Sequence, residues 1–270
     1  MLEKIKKTTE FLKSKVDLKP EIGIVLGSGL GNLGNEINPV AVIPYKEIPN
    51  FPISTVMGHG SNLIFGTLEG KNVVAMQGRF HYYEGYTMQE ITFPIRVMKA
   101  LGVQSLFLSN AAGGMNPDFE VGDIMLIVDH INFMGTNPLI GPNYDELGPR
   151  FPDMSEPYSK KFINLAKQCA NNLNIPIKEG VYVAVTGPNF ETPAEYKFFR
   201  IIGGDAVGMS TVPEVIVAAH SGLPVFGVSI ITDLGGFEDI QPISHEEVLK
   251  AADAAEPKLS AIIKAMLKEL

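Results

Sequence analysis

Apolar residues near the start of the chain recur at close to helical spacing. Leu2, Ile5, Leu12 and Val16 share one stripe of an amphipathic helix that should end near Lys19-Pro20. From residue 21 the period changes, and residues 21–26 form a short apolar strand running into Gly27-Ser28-Gly29-Leu30-Gly31. Two more apolar runs, 63–68 and 73–77, flank Glu69-Gly70-Lys71-Asn72 and predict a β-hairpin. Further strands are expected at 105–109, 124–128, 181–185 and 224–231, with helices opening near Glu156, Thr192, Val212 and Ser244. Thr87-Met88-Gln89-Glu90, Thr192-Pro193-Ala194-Glu195 and Ser244-His245-Glu246-Glu247 have capping-box spacing, a hydroxyl followed three residues later by a carboxylate. Pro94 leaves open whether the first of these helices is straight.

Strands alternating with helices predict an α/β fold, a three-layer sandwich with helices flanking a central β-sheet. The hairpin makes that sheet mixed. Residues 132–152 are rich in Gly, Pro and Asn and longer than an ordinary connector, which points to a functional or interfacial loop. No repeat, low-complexity tract or linker divides the chain, so residues 1–270 are expected to be one domain.

Composition narrows the classes. The chain is 45% hydrophobic and 19% charged, an ordinary globular balance. A net charge of −8 repels nucleic-acid backbones, so any anion must be met by a local cluster. Cys169 is the only cysteine, which rules out an intrachain disulfide and fits a reducing compartment. The start of the chain lacks the apolar core of a signal peptide, and no run approaches the ~20 apolar residues of a membrane span. A soluble, cytoplasmic protein with neither nucleic-acid nor membrane partners is expected.

Chemistry concentrates in a few segments. Gln77-Gly78-Arg79-Phe80-His81-Tyr82-Tyr83-Glu84-Gly85-Tyr86 sets an anion-binding fork and a titratable imidazole among flat aromatic faces. The glycine-rich turn at 27–31 can aim N–H groups and the Ser28 hydroxyl at an anion. It lacks the P-loop lysine, and its sixth position, Asn32, breaks the dinucleotide pattern. Ser54-Thr55-Val56-Met57-Gly58-His59-Gly60 places a histidine between glycines, and Ser109-Asn110-Ala111-Ala112-Gly113-Gly114 ends a strand in small residues where α/β ligands bind. Phe190 and Glu191 precede a capped helix, Met209 and Ser210 precede another, and Thr232-Asp233 closes a strand. His220 sits where a helix should stop and is expected to cap its carbonyls; His130 has no evident partner. His245, in a first helical turn, should be neutral if it acts. No His or Cys spacing resembles a metal site, no G-x-S-x-G elbow occurs, and Cys169 reads as core.

Taken in order along nearly the whole chain, the motifs at 27–31, 54–59, 77–86, 110–114, 190–193, 208–211 and 244–247 resemble those of the trimeric purine nucleoside phosphorylases. That resemblance implies reversible phosphorolysis of a purine nucleoside to free base and pentose 1-phosphate, in a homotrimer, with no cofactor beyond phosphate as co-substrate. It implies that Ser28, Arg79, His81, Ser210 and the Ala111 backbone hold phosphate with His59 nearby, that Tyr83 and Met209 contact the ribose, and that His245 meets its 5′-hydroxyl. Phe190, Glu191 and Asp233 would address the base, and His81, Glu191 and Asp233 would carry the catalysis. A residue of a neighbouring subunit's long loop would cover the sugar, a role falling near Leu147, where some relatives have phenylalanine. Many relatives that prefer 6-oxopurines have asparagine where this chain has Asp233, so a 6-oxopurine enzyme with some tolerance of adenosine is expected. Two other readings remain open at this point: a methylthioadenosine phosphorylase, and a dinucleotide-binding oxidoreductase built on the 27–31 turn.

Overall fold

The structure is a computed structural model that describes residues 1–28, 31–53, 61–235 and 244–270. The expected 54–60 motif, with His59, lies outside those residues. The chain opens with helix α1 (Leu2–Lys15), which stops before the predicted Lys19-Pro20 boundary. Strands β1 (Ile22–Leu26), β2 (Asn38–Pro44), β3 (Asn62–Leu68) and β4 (Lys71–Gln77) follow. β3 and β4 form the predicted hairpin, turning through Glu69 and Gly70 at φ of 50° and 80°. The helix after the Arg79 segment is two helices, α2 (Met88–Ile91) and α3 (Phe93–Leu101), broken at Thr92 with Pro94 in the first turn of the second. Proline has no N–H to continue the first helix, and its fixed φ suits the start of a new one.

Then come β5 (Ser105–Gly114) and β6 (Ile124–Asn132), each longer than predicted. Helix α4 (Lys160–Asn172) begins at Ser159 rather than near Glu156, whose carboxylate instead accepts from the Lys160 N–H at 3.1 Å. Cys169 is buried on this helix, as core. The remaining elements are β7 (Lys178–Ala184), α5 (Pro193–Ile201), β8 (Ala206–Gly208), α6 (Val212–His220), β9 (Val225–Leu234) and α7 (His245–Glu269).

The nine strands of the described residues run in the order β2-β3-β4-β1-β5-β8-β7-β6-β9. The sheet is mixed as expected: β1 pairs parallel with β4 and β5, whereas β2–β3, β3–β4, β5–β8 and β6–β9 are antiparallel. β9 also pairs with β5 in parallel, so β5, β8, β7, β6 and β9 close on themselves and leave the β1–β4 half as an open wing. Helices flank the sheet, with α1 on α3, α4 on α7 and α7 on β9. β5 is the seam between wing and ring, which brings its C-terminal half, Asn110 to Gly114, next to β8 and β9. Burying β1, β5 and β9 almost throughout, and residues 73–76 of β4, explains why they read as continuous apolar runs.

Candidate active site

Every expected site residue within the described part of the chain lines one cavity of about 110 Å³: Ser28, Arg79, His81, Tyr83, Ala111, Phe190, Glu191, Met209, Ser210, Asp233 and His245. They arrive from β1, β4, β5, β8, β9 and the starts of α5, α6 and α7. The β1–β5 junction is tight. A Cβ on Gly27 would stand 2.7 Å from the Ser109 carbonyl oxygen and 3.1 Å from Arg79 Nη1, so only glycine lets these backbones meet.

The cationic end is built around Arg79, which is only 1% exposed. Within the described residues at least three of its five N–H groups are committed. Nε and Nη2 donate to the two Glu214 oxygens at 3.1 and 2.9 Å, and Nη1 donates to the Ser109 carbonyl at 2.6 Å. Glu214, in the first turn of α6, is a site residue that sequence reasoning missed. A carboxylate there looks like an ordinary helix-dipole partner, and only the fold shows that it grips an arginine 135 residues away. The fork is therefore aimed by a buried ion pair rather than wholly given to a ligand.

Next to it the chain makes a strained turn. Thr211 has φ 71° and ψ −55°, and the Val212 N–H donates to the Ser210 carbonyl at 2.8 Å. This is a γ-turn of the rare positive-φ kind, centred on a buried β-branched residue. Asn110 Nδ2 holds it by donating to Thr211 Oγ1 at 2.8 Å, while Asn110 Oδ1 is buried with no hydrogen-bond partner among the described residues. The turn sets Ser210 on the cavity wall immediately before α6.

His81 stacks on Tyr83 with ring centroids 4.8 Å apart and planes 13° from parallel. Its Nδ1 faces Glu84 Oε1 at 3.2 Å, and the same oxygen accepts from the His81 N–H at 2.7 Å. A carboxylate can only accept, so Nδ1 carries the hydrogen and neutral His81 keeps a lone pair on Nε2. Burial lowers the His81 pKa, with the nearby Arg79 charge acting in the same direction against the help of Glu84. Burial likewise pushes Tyr83 up to about 12. The other tyrosines of this segment pack: Tyr86 donates to the Ile53 carbonyl at 2.8 Å, and Tyr82 lies against the core.

The carboxyl end holds Glu191 and Asp233. Burial raises Glu191 to about 7, reinforced by the Asp233 and Glu195 charges. Burial also raises Asp233, opposed by donors on both oxygens: Thr232 Oγ1 at 3.0 Å and Tyr196 Oη at 3.1 Å. Tyr196, buried on α5, is the second missed residue. Two glycines make its place: a Cβ on Gly113 would lie 2.9 Å from Asp233 Oδ2 and 3.0 Å from Tyr196 Oη, and one on Gly235 would collide with the Tyr196 ring. The Arg79 charge acts on His81 and Tyr83, whereas the charges acting on Glu191 are Asp233 and Glu195. The cavity thus has a cationic end and a carboxyl end, with aromatic, thioether and imidazole side chains for a ring between them. His245, also on its wall, has its Nε2 buried with no partner among the described residues.

Other expectations fare differently. His220 does not cap its own helix: Nδ1 lies 2.9 Å from Arg96 Nη1, and Nε2 lies 3.2 Å from Asn143 Oδ1. His130 has a partner after all, the Tyr158 hydroxyl at 3.1 Å, and burial lowers its pKa to about 4. Leu147 is half buried against the core of its own chain, whereas Phe151, in the same loop, is 87% exposed. Among the described residues no helix is long and apolar enough to cross a membrane.

Comparison with known proteins agrees with this geometry. The phosphorylase superfamily profile matches residues 21–268. Purine nucleoside phosphorylase 1 of Geobacillus stearothermophilus is 55% identical over 98% of this chain and 97% of its own length. The Bacillus subtilis enzyme of the same name is 54% identical over 100% and 99%. Among solved structures, isoform 2 of the Schistosoma mansoni purine nucleoside phosphorylase, in complex with cytosine and ribose-1-phosphate, superposes with a TM-score of 0.95 at 45% identity, covering 99% of this chain and 96% of that one. A Schistosoma mansoni enzyme with adenosine gives 0.94 at 43% identity, covering 99% and 97%. These relatives favour that activity over both the methylthioadenosine phosphorylase and the oxidoreductase readings. The chain belongs to the purine nucleoside phosphorylases of the phosphorylase superfamily.

Proposed function

We propose that the chain catalyses reversible phosphorolysis of purine ribo- and deoxyribonucleosides such as inosine and guanosine, with the residue roles that follow. The observation that carries them is the division of one cavity into a cationic and a carboxyl end, with ring-sized contacts between. Breaking the bond from C1′ to the purine leaves positive charge on the sugar and negative charge on the base. Phosphate held by Ser28, Arg79, His81, Ser210 and the Ala111 backbone stabilises the first charge and then captures C1′, so orientation and electrostatics supply most of the catalysis. Neutral His81, with its Nε2 lone pair, suits a phosphate that still carries one proton. Tyr83 and Met209 hold the ribose, and His245 Nε2, buried with no partner among the described residues, is the group for its 5′-hydroxyl. We assign His59 to the phosphate on the sequence motif alone.

The leaving base needs a proton or a donor at N7. Glu191, with a pKa near 7, carries a proton for much of the time at neutral pH. Asp233 sets base choice in this reading. Its two hydrogen-bond donors favour the ionised form, which accepts from a 6-amino group, while burial favours the protonated form, which donates to a 6-oxopurine. Support for a pocket open to both comes from the solved Schistosoma relatives, one in complex with adenosine and another in complex with hypoxanthine. We further propose a cytoplasmic homotrimer that needs no cofactor besides phosphate. In it the exposed Phe151, rather than the half-buried Leu147, is the loop residue that covers a neighbour's sugar site.

Release of free base from inosine, guanosine and adenosine, each with and without phosphate, tests the reading. Phosphate-dependent release is expected with inosine and guanosine ahead of adenosine. Release that ignores phosphate would overturn the assignment of the cationic end.

A further inference from the structure

Among the described residues two arginines are buried, Arg79 and Arg96, and only Arg79 has a carboxylate partner there. Arg79 is clasped by Glu214, whereas Arg96, on α3 and 9% exposed, has no ion pair among the described residues. Its Nη1 donates to His220 Nδ1 at 2.9 Å and to Ser221 Oγ at 3.1 Å. The other three donors of its fork, on Nε and Nη2, meet no acceptor among the described residues. Because a guanidinium only donates, His220 must accept through Nδ1. Its Nε2–H then points to Asn143 Oδ1, 3.2 Å away, and the ring is neutral. Burial and the Arg96 charge lower the His220 pKa, outweighing the opposing hydrogen bond to the Pro149 backbone, which keeps it so. His220 is therefore no counter-charge.

Arg96 opens onto a second cavity, of about 220 Å³, roofed by the 137–147 loop. Among the described residues lining it, none is acidic. The loop is fastened over it by Gln89 Nε2, which donates to the Pro138 and Ile140 carbonyls at 3.4 and 3.1 Å, and by Arg150 Nη1, which donates to Leu139 and Gly141. Tyr144 also lines it. Burial alone pulls Arg96 down to about 10, which still leaves it charged at neutral pH. A buried, charged guanidinium with its two-pronged edge unused is the arrangement that binds a carboxylate or phosphate. On a chain of net charge −8, loose attraction to the surface does not explain such a site.

We propose that the Arg96 cavity is a second ligand site, separate from the active site, that takes a small oxyanion on the Nε–Nη2 edge of the guanidinium. Calorimetric titration with inorganic phosphate tests it. Wild type should bind two phosphates per chain and Arg96→Gln one, with Arg96→Lys weakening the second site at least tenfold. One phosphate per chain in both wild type and Arg96→Gln would overturn the proposal. So would a fall in assembly mass on Arg96→Gln with no change in phosphate stoichiometry, since a carboxylate from a second copy would then be the counter-charge. Should the variants fail to fold, wild-type crystals soaked in selenate decide: an anomalous peak on Arg96 at millimolar concentration supports the site. A peak absent there, or present only at molar concentration as an adventitious ion only, sinks it.

Discussion

At the scale of single residues, Glu191 carries a pH dependence, and in the proposed function Asp233 carries the base choice. Glu191 has a folded pKa near 7 against 4.5 for an unperturbed glutamate. Between those values the folded chain holds a proton that the unfolded chain has released, so this group's stabilising contribution is full below about pH 4.5 and is lost as pH rises through 7. Urea unfolding at pH 5 and pH 8 should show that loss in wild type and a flatter profile in Glu191→Gln. Asp233→Asn replaces a switchable group by a fixed amide donor and should raise the inosine-to-adenosine ratio of kcat/KM by about tenfold or more, roughly one good hydrogen bond. An unchanged ratio would remove Asp233 from base selection. Arg79, His81, Phe190, Glu191 and Asp233 were legible because their chemistry is written in short motifs. Glu214 and Tyr196 were not, because what marks them is a partner far along the chain. Glu214→Gln should leave Arg79 buried without a full counter-charge, costing about 3 kcal/mol of stability and raising the phosphate KM. Chemical unfolding alongside phosphate kinetics separates those two effects.

At the scale of elements, capping chemistry predicted helix starts best. The boxes at Thr87, Thr192 and Ser244 all form, with the hydroxyl accepting from the backbone three residues on. Ser244 caps the helix that carries His245, so Ser244→Ala should cost about 1 kcal/mol and loosen that first turn. Its kinetic signature should be a higher nucleoside KM with the phosphate KM held, read from initial rates. The strands missed were β2, which carries Pro39 and Pro44 and lies at the sheet edge largely exposed, and β8, only three residues long. Prolines and exposed positions at an edge erase the alternation that announces a strand. The γ-turn at Thr211 was illegible for a different reason. Threonine is among the last residues expected at positive φ, and tertiary contacts with Asn110 hold it there.

At the scale of the molecule, strand–helix alternation was enough to predict an α/β sandwich on a mixed sheet. It could not reveal that β9 returns to pair with β5, because ring closure depends on register between strands more than 100 residues apart. That closure gathers the cavity wall from Ser28 at one end of the sequence to His245 and Val248 at the other. No fragment of the chain owns the site. Ligands that fill it therefore act as a removable cross-link over more than 200 residues, and their binding energy is shared by the whole fold. Phosphate and a nucleoside analogue, each at a hundred times its Kd, should each add about 2.7 kcal/mol and raise Tm accordingly. Hydrogen exchange should slow together in β1, β5, β9 and the start of α7. Protection confined to a single segment would mean that the two ends of the sequence open independently.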